Sequence, residues 1–238
     1  MRRHTLYIIS AIIFALAIAG FFLLRPTKCV SVCSAPPGYT WKTQIESGTF
    51  AWNSLASSAD GSILAAAALE GPIFVSTDGG YSWADRTSGL RGTSWYSIAQ
   101  SSDASKIVLA GGDAGIYISS DQGVTWNGSD DPQLSDIRLV TVSATGSVIL
   151  AANSTGDMFL STDGGARWEQ LTLEHLNLPL SIALSGDGSR IFAAYRGGSV
   201  YTSVVGEGTW SQITVLGGED WQAISASADG THVAVADG

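Results

Sequence analysis

The alternation of apolar and polar positions divides the chain into two unlike parts. Leu6 to Leu24 is a 19-residue run without a charge, LYIISAIIFALAIAGFFLL. After residue 29 the apolar residues come in short stretches bounded by Gly, Asp and Ser clusters. At about 1.5 Å per residue, a helix over the run nearly crosses a hydrocarbon core of about 30 Å. The short stretches carry no 3.6-residue period and are predicted to be strands.

The strands recur. Trp41, Trp83, Trp126, Trp168 and Trp210 are 42, 43, 42 and 42 residues apart. A second register, Trp52, Trp95, Ile137, Pro179 and Trp221, keeps intervals of 43, 42, 42 and 42 and takes the remaining tryptophans. Each unit opens with a strand such as Trp52-Asn53-Ser54-Leu55-Ala56. A hairpin dipeptide follows (Asp60-Gly61, Asp187-Gly188, Asp229-Gly230), its glycine free to take positive φ. The second strand (Ile63 to Ala67, Ile107 to Gly111, Val148 to Ala152, Ile191 to Tyr195) is apolar on both faces, as a strand between neighbouring sheets should be. A third strand, such as Ile73-Phe74-Val75-Ser76, leads to a fourth that opens at the tryptophan of the first register. Four strands in about 42 residues, repeated, are the signature of a β-propeller blade. The predicted fold is an all-β propeller of about five repeats over residues 29–238, preceded by one membrane segment over residues 1–28.

Between strands three and four lies S-x-D-x-G-x-x-W. Its three intact copies are Ser76, Asp78, Gly80 and Trp83; Ser119, Asp121, Gly123 and Trp126; and Ser161, Asp163, Gly165 and Trp168. The chemistry suits a tight hairpin. The carboxylate accepts from turn N–H groups, the hydroxyl supports the same turn, glycine takes positive φ and the indole packs over the hairpin. Two copies are worn: Val205 and Glu207 replace the Asp and Gly before Trp210, and Pro36 replaces the Asp before Trp41. Those hairpins are expected to be less well braced.

The motif resembles the Asp-box, or BNR, repeat of sialidases, sortilin-type receptors, xyloglucanases and photosystem II assembly factors, and the resemblance covers residues 29–238. It implies that the box is a structural device away from the functional site, so Asp78, Asp121 and Asp163 are read as structural. Calcium is the competing use of Asp-Gly pairs, but EF-hand or RTX spacing is missing. No metal or cofactor is assigned.

Composition then narrows the function classes. Charged residues are 14% and hydrophobic residues 45% of the chain, which places it far from the disordered class. Four of the twelve basic residues (Arg2, Arg3, Arg25, Lys28) precede residue 29, and all 21 acidic residues follow it. The later part therefore sets eight basic residues against 21 acidic ones, a net −13 that repels phosphate backbones and argues against nucleic acid. Cys29, Cys33 and three scattered histidines give neither a disulfide scaffold nor zinc-type spacing.

The resemblance to sialidases raises glycoside hydrolysis. Those enzymes carry an Arg-Ile-Pro type motif ahead of the first box and three arginines for the substrate carboxylate; no such tripeptide occurs here. Arg138 alone among the arginines lies in an innermost strand, where the other units have Asn53, Tyr96, Leu180 and Gln222. Arg196 and Arg91, in loops, could accompany it. Glycosidases need two carboxyls about 5–10 Å apart, and no pair stands out. Asp130-Asp131 reads as a solvated turn and Glu174-His175 as a surface loop, an acid–base pair being the alternative; no catalytic residue is assigned.

If the boxes mark one end of the ring, the connections from strand four to strand one and from strand two to strand three form the other. That end carries the candidate ligand residues Asp130, Asp131, Arg138, Glu174, His175, Arg196, Glu219 and Asp220, with Glu70, Arg91, Asp113, Asp136 and Asp157 beside them. Non-catalytic binding or assembly, with a protein or carbohydrate ligand on this face, is the function read from the sequence. A sialidase-related hydrolase and a photosystem-type assembly factor are the alternatives.

Two expectations concern the ends. Arg2 and Arg3 before the apolar run suit a cytoplasmic start and an uncleaved anchor, with a signal peptide cut near Ala17-Ile18-Ala19 as the alternative. Either one exports the repeats, to the cell surface, periplasm or lumen, or into the medium after cleavage. Residues 29–238 make five units of 42, and the preferred reading is a chain cut short of a further box; as the alternative, Cys29–Ser34, Trp41–Glu46 and the two strands after Trp221 could complete one composite blade. Protease added outside intact cells is expected to degrade the repeats and spare the anchor, whereas full protection would refute export.

Overall fold

The computed structural model describes residues 6–8, 41–43, 50–92, 94–112, 115–129, 131–172, 179–213 and 221–237. Two short strands, β1 (Leu6–Ile8) and β2 (Trp41–Thr43), come first. Blade 1 follows as β3 (Trp52–Ser57), β4 (Leu64–Ala68), β5 (Ile73–Ser76) and β6 (Ala84–Asp85). Blade 2 is β7 (Trp95–Gln100), β8 (Ile107–Gly111), β9 (Gly115–Ser119) and β10 (Asn127–Gly128). Blade 3 is β11 (Ile137–Val142), β12 (Ile149–Asn153), β13 (Met158–Ser161) and β14 (Glu169–Leu171). Blade 4 is β15 (Ser181–Leu184), β16 (Arg190–Ala194), β17 (Val200–Val204) and β18 (Trp210–Gln212), and a half-blade ends the described chain as β19 (Trp221–Ala226) and β20 (Val233–Asp237). Each blade is one antiparallel sheet with its strands in chain order. The first strands of successive blades touch, which places them innermost.

The core lies in the seams between blades. Ala65, Ala67, Ile73 and Val75 of blade 1 pack against Trp95, Ile98, Ile107 and Leu109 of blade 2. The same arrangement recurs between blades 2 and 3, 3 and 4, and blade 4 and the half-blade. Second strands are buried on both faces because each lies between two seams; Ala65 turns toward blade 2 and Ala66 away from it. Serine ties cross three of the seams: Ser54 Oγ accepts from Ile98 N (3.0 Å), Ser97 Oγ from Val140 N (3.2 Å) and Ser181 Oγ from Ile224 N (3.2 Å). Between blades 3 and 4 the matching residue is Leu139, which has no hydroxyl.

Both hairpins of a blade share one end of the ring, since Gly79 N donates to Ser62 O (2.8 Å) and Gly164 N to Ser147 O (2.8 Å). In the S-x-D-x-G-x-x-W hairpins, Ser76 Oγ accepts from Gly80 N and donates to Asp78, whose Oδ1 accepts from Ser82 N (2.9 Å). Ser119 with Asp121 and Ser161 with Asp163 repeat the pattern. The indole does more than cover its own turn. Trp126 Nε1 donates to Arg86 O of blade 1 (2.8 Å), and a Cβ on Gly123 would lie 3.0 Å from Val75 Cγ2 of that blade. The worn Ser203 hairpin has no carboxylate brace; backbone bonds from Val205 N to Ser189 O and Glu207 N to Val204 O hold it.

The hairpins between strands one and two repeat a related device around Asp60, Asp103, Asp187 and Asp229. Ser58 Oγ donates to Asp60 and accepts from Ile63 N (2.9 Å), and Ser101, Ser185 and Ser227 do likewise. Backbone bonds link these hairpins into a belt: Ala59 N to Ser102 O, Ser102 N to Ala144 O, Ala144 N to Gly186 O and Asp187 N to Ala228 O.

Two expectations fall largely outside the described residues, and one needs correction. Leu6–Ile8, the start of the predicted membrane helix, form strand β1, paired in parallel with β2 so that Leu6 faces Trp41; extended pairing satisfies their backbone groups as a helix would otherwise do. The rest of that run lies outside the described residues, and among the described residues no helix is long and apolar enough to cross a membrane. Cys29–Ser34 and residues 44–46 of the expected composite blade lie outside the described residues, among which β2 pairs with β1 and β20 with β19. Second strands begin at Leu64, Ile149 and Arg190, one residue away from the predicted starts, because Ile63 N and Val148 N bond a hairpin serine instead of a neighbouring strand and Arg190 adds a pair with Val204.

Two outcomes follow from the hairpins. Gly61 and Gly188 share one position and similar φ (71° and 74°), but a Cβ meets nothing at Gly61 and lies 2.8 Å from Val148 Cγ2 at Gly188. Gly61→Ala is expected to cost about 1 kcal/mol for the left-handed backbone, and Gly188→Ala clearly more because the seam must also shift; urea denaturation measures both. Hydrogen bonds also lower Asp60 (Ser62 N–H first), Asp78 (Ser82 hydroxyl first), Asp103 (Ser105 N–H first) and Asp121 (Thr125 hydroxyl first) from 3.8 to about 2. A lowered folded value means stabilisation that is complete above the ordinary value and lost on acidification. Melting temperature is expected to hold above about pH 5 and fall between pH 4 and pH 2, with a smaller fall in Asp121→Asn.

Candidate functional site

The site is built from a slip in the innermost strands. Trp52 faces Ala68 across the ladder but Ser54 faces Ala67, so Asn53 is an extra residue. The same slip leaves out Tyr96 in β7, Arg138 in β11 and Gln222 in β19. β15 pairs without a slip from Ser181 onward. A bulge of this kind bends the strand and re-aims the side chain it carries. It occurs at the start of the strand, on the end of the ring opposite the hairpins.

The re-aimed side chains of blades 2 and 3 meet, and that of blade 1 reaches the backbone beside them. Asn53 Nδ2 donates to Tyr96 O (2.7 Å) and Trp95 O (3.3 Å) from one side. From the other, the Arg138 guanidinium lies over the Tyr96 ring, 3.8 Å from its centroid. Arg138 Nη2 is also 2.8 Å from Asp136 Oδ1. Asp136 is fixed by its own backbone, which adopts φ 51°, donates to Gly112 O (2.9 Å) and accepts from Ser154 N (3.0 Å), while its Oδ2 accepts from the Ser154 hydroxyl. Gly112 lets the cluster close up, because a Cβ there would stand 3.0 Å from Tyr96 Cε2.

Arg138 is thus held by a ring on one side and a carboxylate on another, yet its side chain is 33% exposed. Its Nε is buried with no partner. A guanidinium restrained in this way is a planar donor set in place before a ligand arrives. Asp136 offsets much of its charge, so the pair suits polar and mixed-charge groups such as those of a peptide better than a highly charged anion.

The other candidates have separate local roles. Asp131 caps a 3-10 turn at Pro132–Leu134, its carboxylate accepting from Gln133 N (3.0 Å). Arg196 is exposed in the turn between β16 and β17, and Arg91 N donates to the Tyr117 hydroxyl (3.0 Å). Asp157 accepts from Asn153, Thr155 and Gln170, and the Asn153 amide, the largest cause, helps hold it below the ordinary carboxylate range. Among the described residues no hydrogen bond or ion pair joins Asp131 or Arg196 to the Arg138 cluster. Asp113, Asp130, Glu174, His175, Glu219 and Asp220 lie outside the described residues. Sequence reasoning placed Tyr96 and Arg138 one repeat apart but missed their stacking and the Ser154 clamp; the available signal was Arg138 alone, a charged residue in the strand IRLVTV.

No protein-family model matches the chain, and no curated protein matches it in sequence. Solved structures match in fold. YCF48 bound to D1 peptide superposes with a TM-score of 0.60 at 19% identity, over 78% of this chain and 60% of that one. A structure of the nidogen/laminin complex gives 0.65 at 14% identity, over 79% and 72%. YCF48 from Cyanidioschyzon merolae gives 0.54 at 18% identity, over 73% and 59%. The fold is a β-propeller. Identities this low carry the fold alone, and the propeller described here spans about 60% of the length of the YCF48 chains.

Proposed function

We propose that this protein is a non-catalytic binding scaffold of the Asp-box type, exported and held at a membrane by its amino-terminal segment, that captures an extended peptide or protein segment on the rim around Arg138. The observation that carries this reading is the preset trio of Tyr96, Asp136 and Arg138 on one end of a ring whose other end is taken up by its own hairpin bonds. Exposed polar groups on a rigid scaffold are where propellers meet ligands.

The likeness to YCF48 supports the narrower reading of an assembly factor, since one of those structures holds a D1 peptide. Carbohydrate remains the competing ligand. The test is a panel of unstructured peptides and oligosaccharides presented to the full chain in detergent. Arg138→Ala is expected to weaken peptide capture about tenfold, within the range for a lost charged hydrogen bond, with melting temperature little changed. Capture that survives Arg138→Ala and Tyr96→Ala, but is lost in folded Asp121→Ala, would put the binding face at the opposite end.

A further inference from the structure

Three asparagines lie among the described residues, Asn53, Asn127 and Asn153, and each precedes a small residue, Ser54, Gly128 and Ser154. Asparagine is a thermolabile residue. Before a small neighbour its side-chain carbonyl carbon is open to attack by the next backbone nitrogen, which closes a five-membered ring.

The fold restrains two of the three. Asn53 Nδ2 donates to Tyr96 O (2.7 Å) and Trp95 O (3.3 Å). Asn153 is buried; its Nδ2 donates to Asp157 (3.1 Å), and its Oδ1 accepts from Thr155 N (3.1 Å) and Asp157 N (2.9 Å). Turning either amide toward its own chain neighbour breaks these bonds. Asn127 is different. It is exposed in β10, the outermost strand of blade 2, and among the described residues its side chain makes no hydrogen bond.

The nucleophile beside it is free as well. Ser129 N donates to Ile116 O (2.9 Å), so the alternation of an antiparallel ladder turns the Gly128 N–H away from β9. Among the described residues no strand lies beyond β10, and Gly128 is exposed. Glycine is also what the packing needs here, since a Cβ would stand 2.9 Å from Tyr117 Cε1. The matching positions in blades 1, 3 and 4 are Asp85, Gln170 and Gln212, so this dipeptide occurs in one blade alone. β10 is held to β9 by two residues, and so short an edge opens locally at little cost.

We infer that Asn127-Gly128 is a self-modifying site of the folded protein, with water as the co-reactant. The Gly128 nitrogen attacks Asn127 Cγ; the Cγ–Nδ2 bond breaks, and ammonia leaves with the proton that the nitrogen gives up. Water then opens the succinimide at either carbonyl. One product is aspartate, and the other is an isoaspartyl link that routes the backbone through the side chain. Both add a negative charge. The second also adds a methylene to the backbone of β10, which takes Gly128 out of register with Tyr117, the residue whose hydroxyl accepts from Arg91 N.

The test incubates the full chain in mild detergent at mildly alkaline pH, beside the same chain in urea, and maps the asparagines by mass spectrometry against a zero-time digest. In the fold, Asn127 is expected to lose its amide several-fold faster than Asn53 or Asn153, giving both products. In urea, Asn53 and Asn153 should speed up by a larger factor than Asn127. Asn127→Gln, whose ring would have six members, should remove the early acidic band on isoelectric focusing and leave the melting temperature unchanged. An Asn127 amide that survives in the fold overturns the inference, whatever happens in urea. Loss at one common rate from all three asparagines overturns it too, as does an early acidic band that persists in Asn127→Gln.

Discussion

The buried hairpin serine is the interaction on which the ring depends. Among the described residues, eight of the nine buried polar ones are serines of this kind: Ser58, Ser76, Ser101, Ser119, Ser143, Ser161, Ser185 and Ser203. A hydroxyl withdrawn from water is costly unless it is bonded, and nearly all of these bond a backbone N–H four or five residues further on. Where an aspartate follows two residues later, it accepts the serine proton from the solvent side, so the charge stays hydrated while the neutral group goes inside. The turn backbone can then sit tightly against the preceding blade with these N–H groups bonded.

This device makes the two ends of the ring unlike. At the hairpin end, side-chain carboxylates, turn N–H groups and the backbone belt satisfy one another. At the other end the innermost strands slip by a residue, and the extra side chain has no place in the ladder. Asn53, Tyr96 and Arg138 instead contact one another across blade boundaries. Rigidity at one end is what allows groups at the other to hold a fixed mutual geometry without being used up in the fold.

The blades were legible in the sequence because their punctuation is chemical. Ser, Asp, Gly and Trp at fixed spacing each answer a local demand of one hairpin, and local demands repeat at 42 residues. The slip was not legible, because Asn53, Tyr96, Arg138 and Gln222 share no side-chain chemistry and an alternating pattern does not count an extra residue. The reach of Trp126 to Arg86 was hidden for a different reason: it is set by how blade 2 packs on blade 1, not by the hairpin that carries the motif. Arg138 was visible as an outlier, but its restraint by Tyr96 and Asp136 exists only once two repeats are laid side by side. Six of the acidic and basic candidates drawn from sequence fall outside the described residues.

Stacked repeats are as strong as their weakest neighbour contact, since stability in such arrays is close to a sum of unit and seam terms. The seams here are not equal. Those on either side of Leu139 differ: blade 2 is tied to blade 3 through Ser97, whereas blade 3 meets blade 4 with a leucine where the tie would be. The junction of blades 3 and 4 therefore rests on its apolar cluster and on the Ala144 N to Gly186 O bond, and the Arg138 rim lies wholly on the blade 1 to 3 side of it.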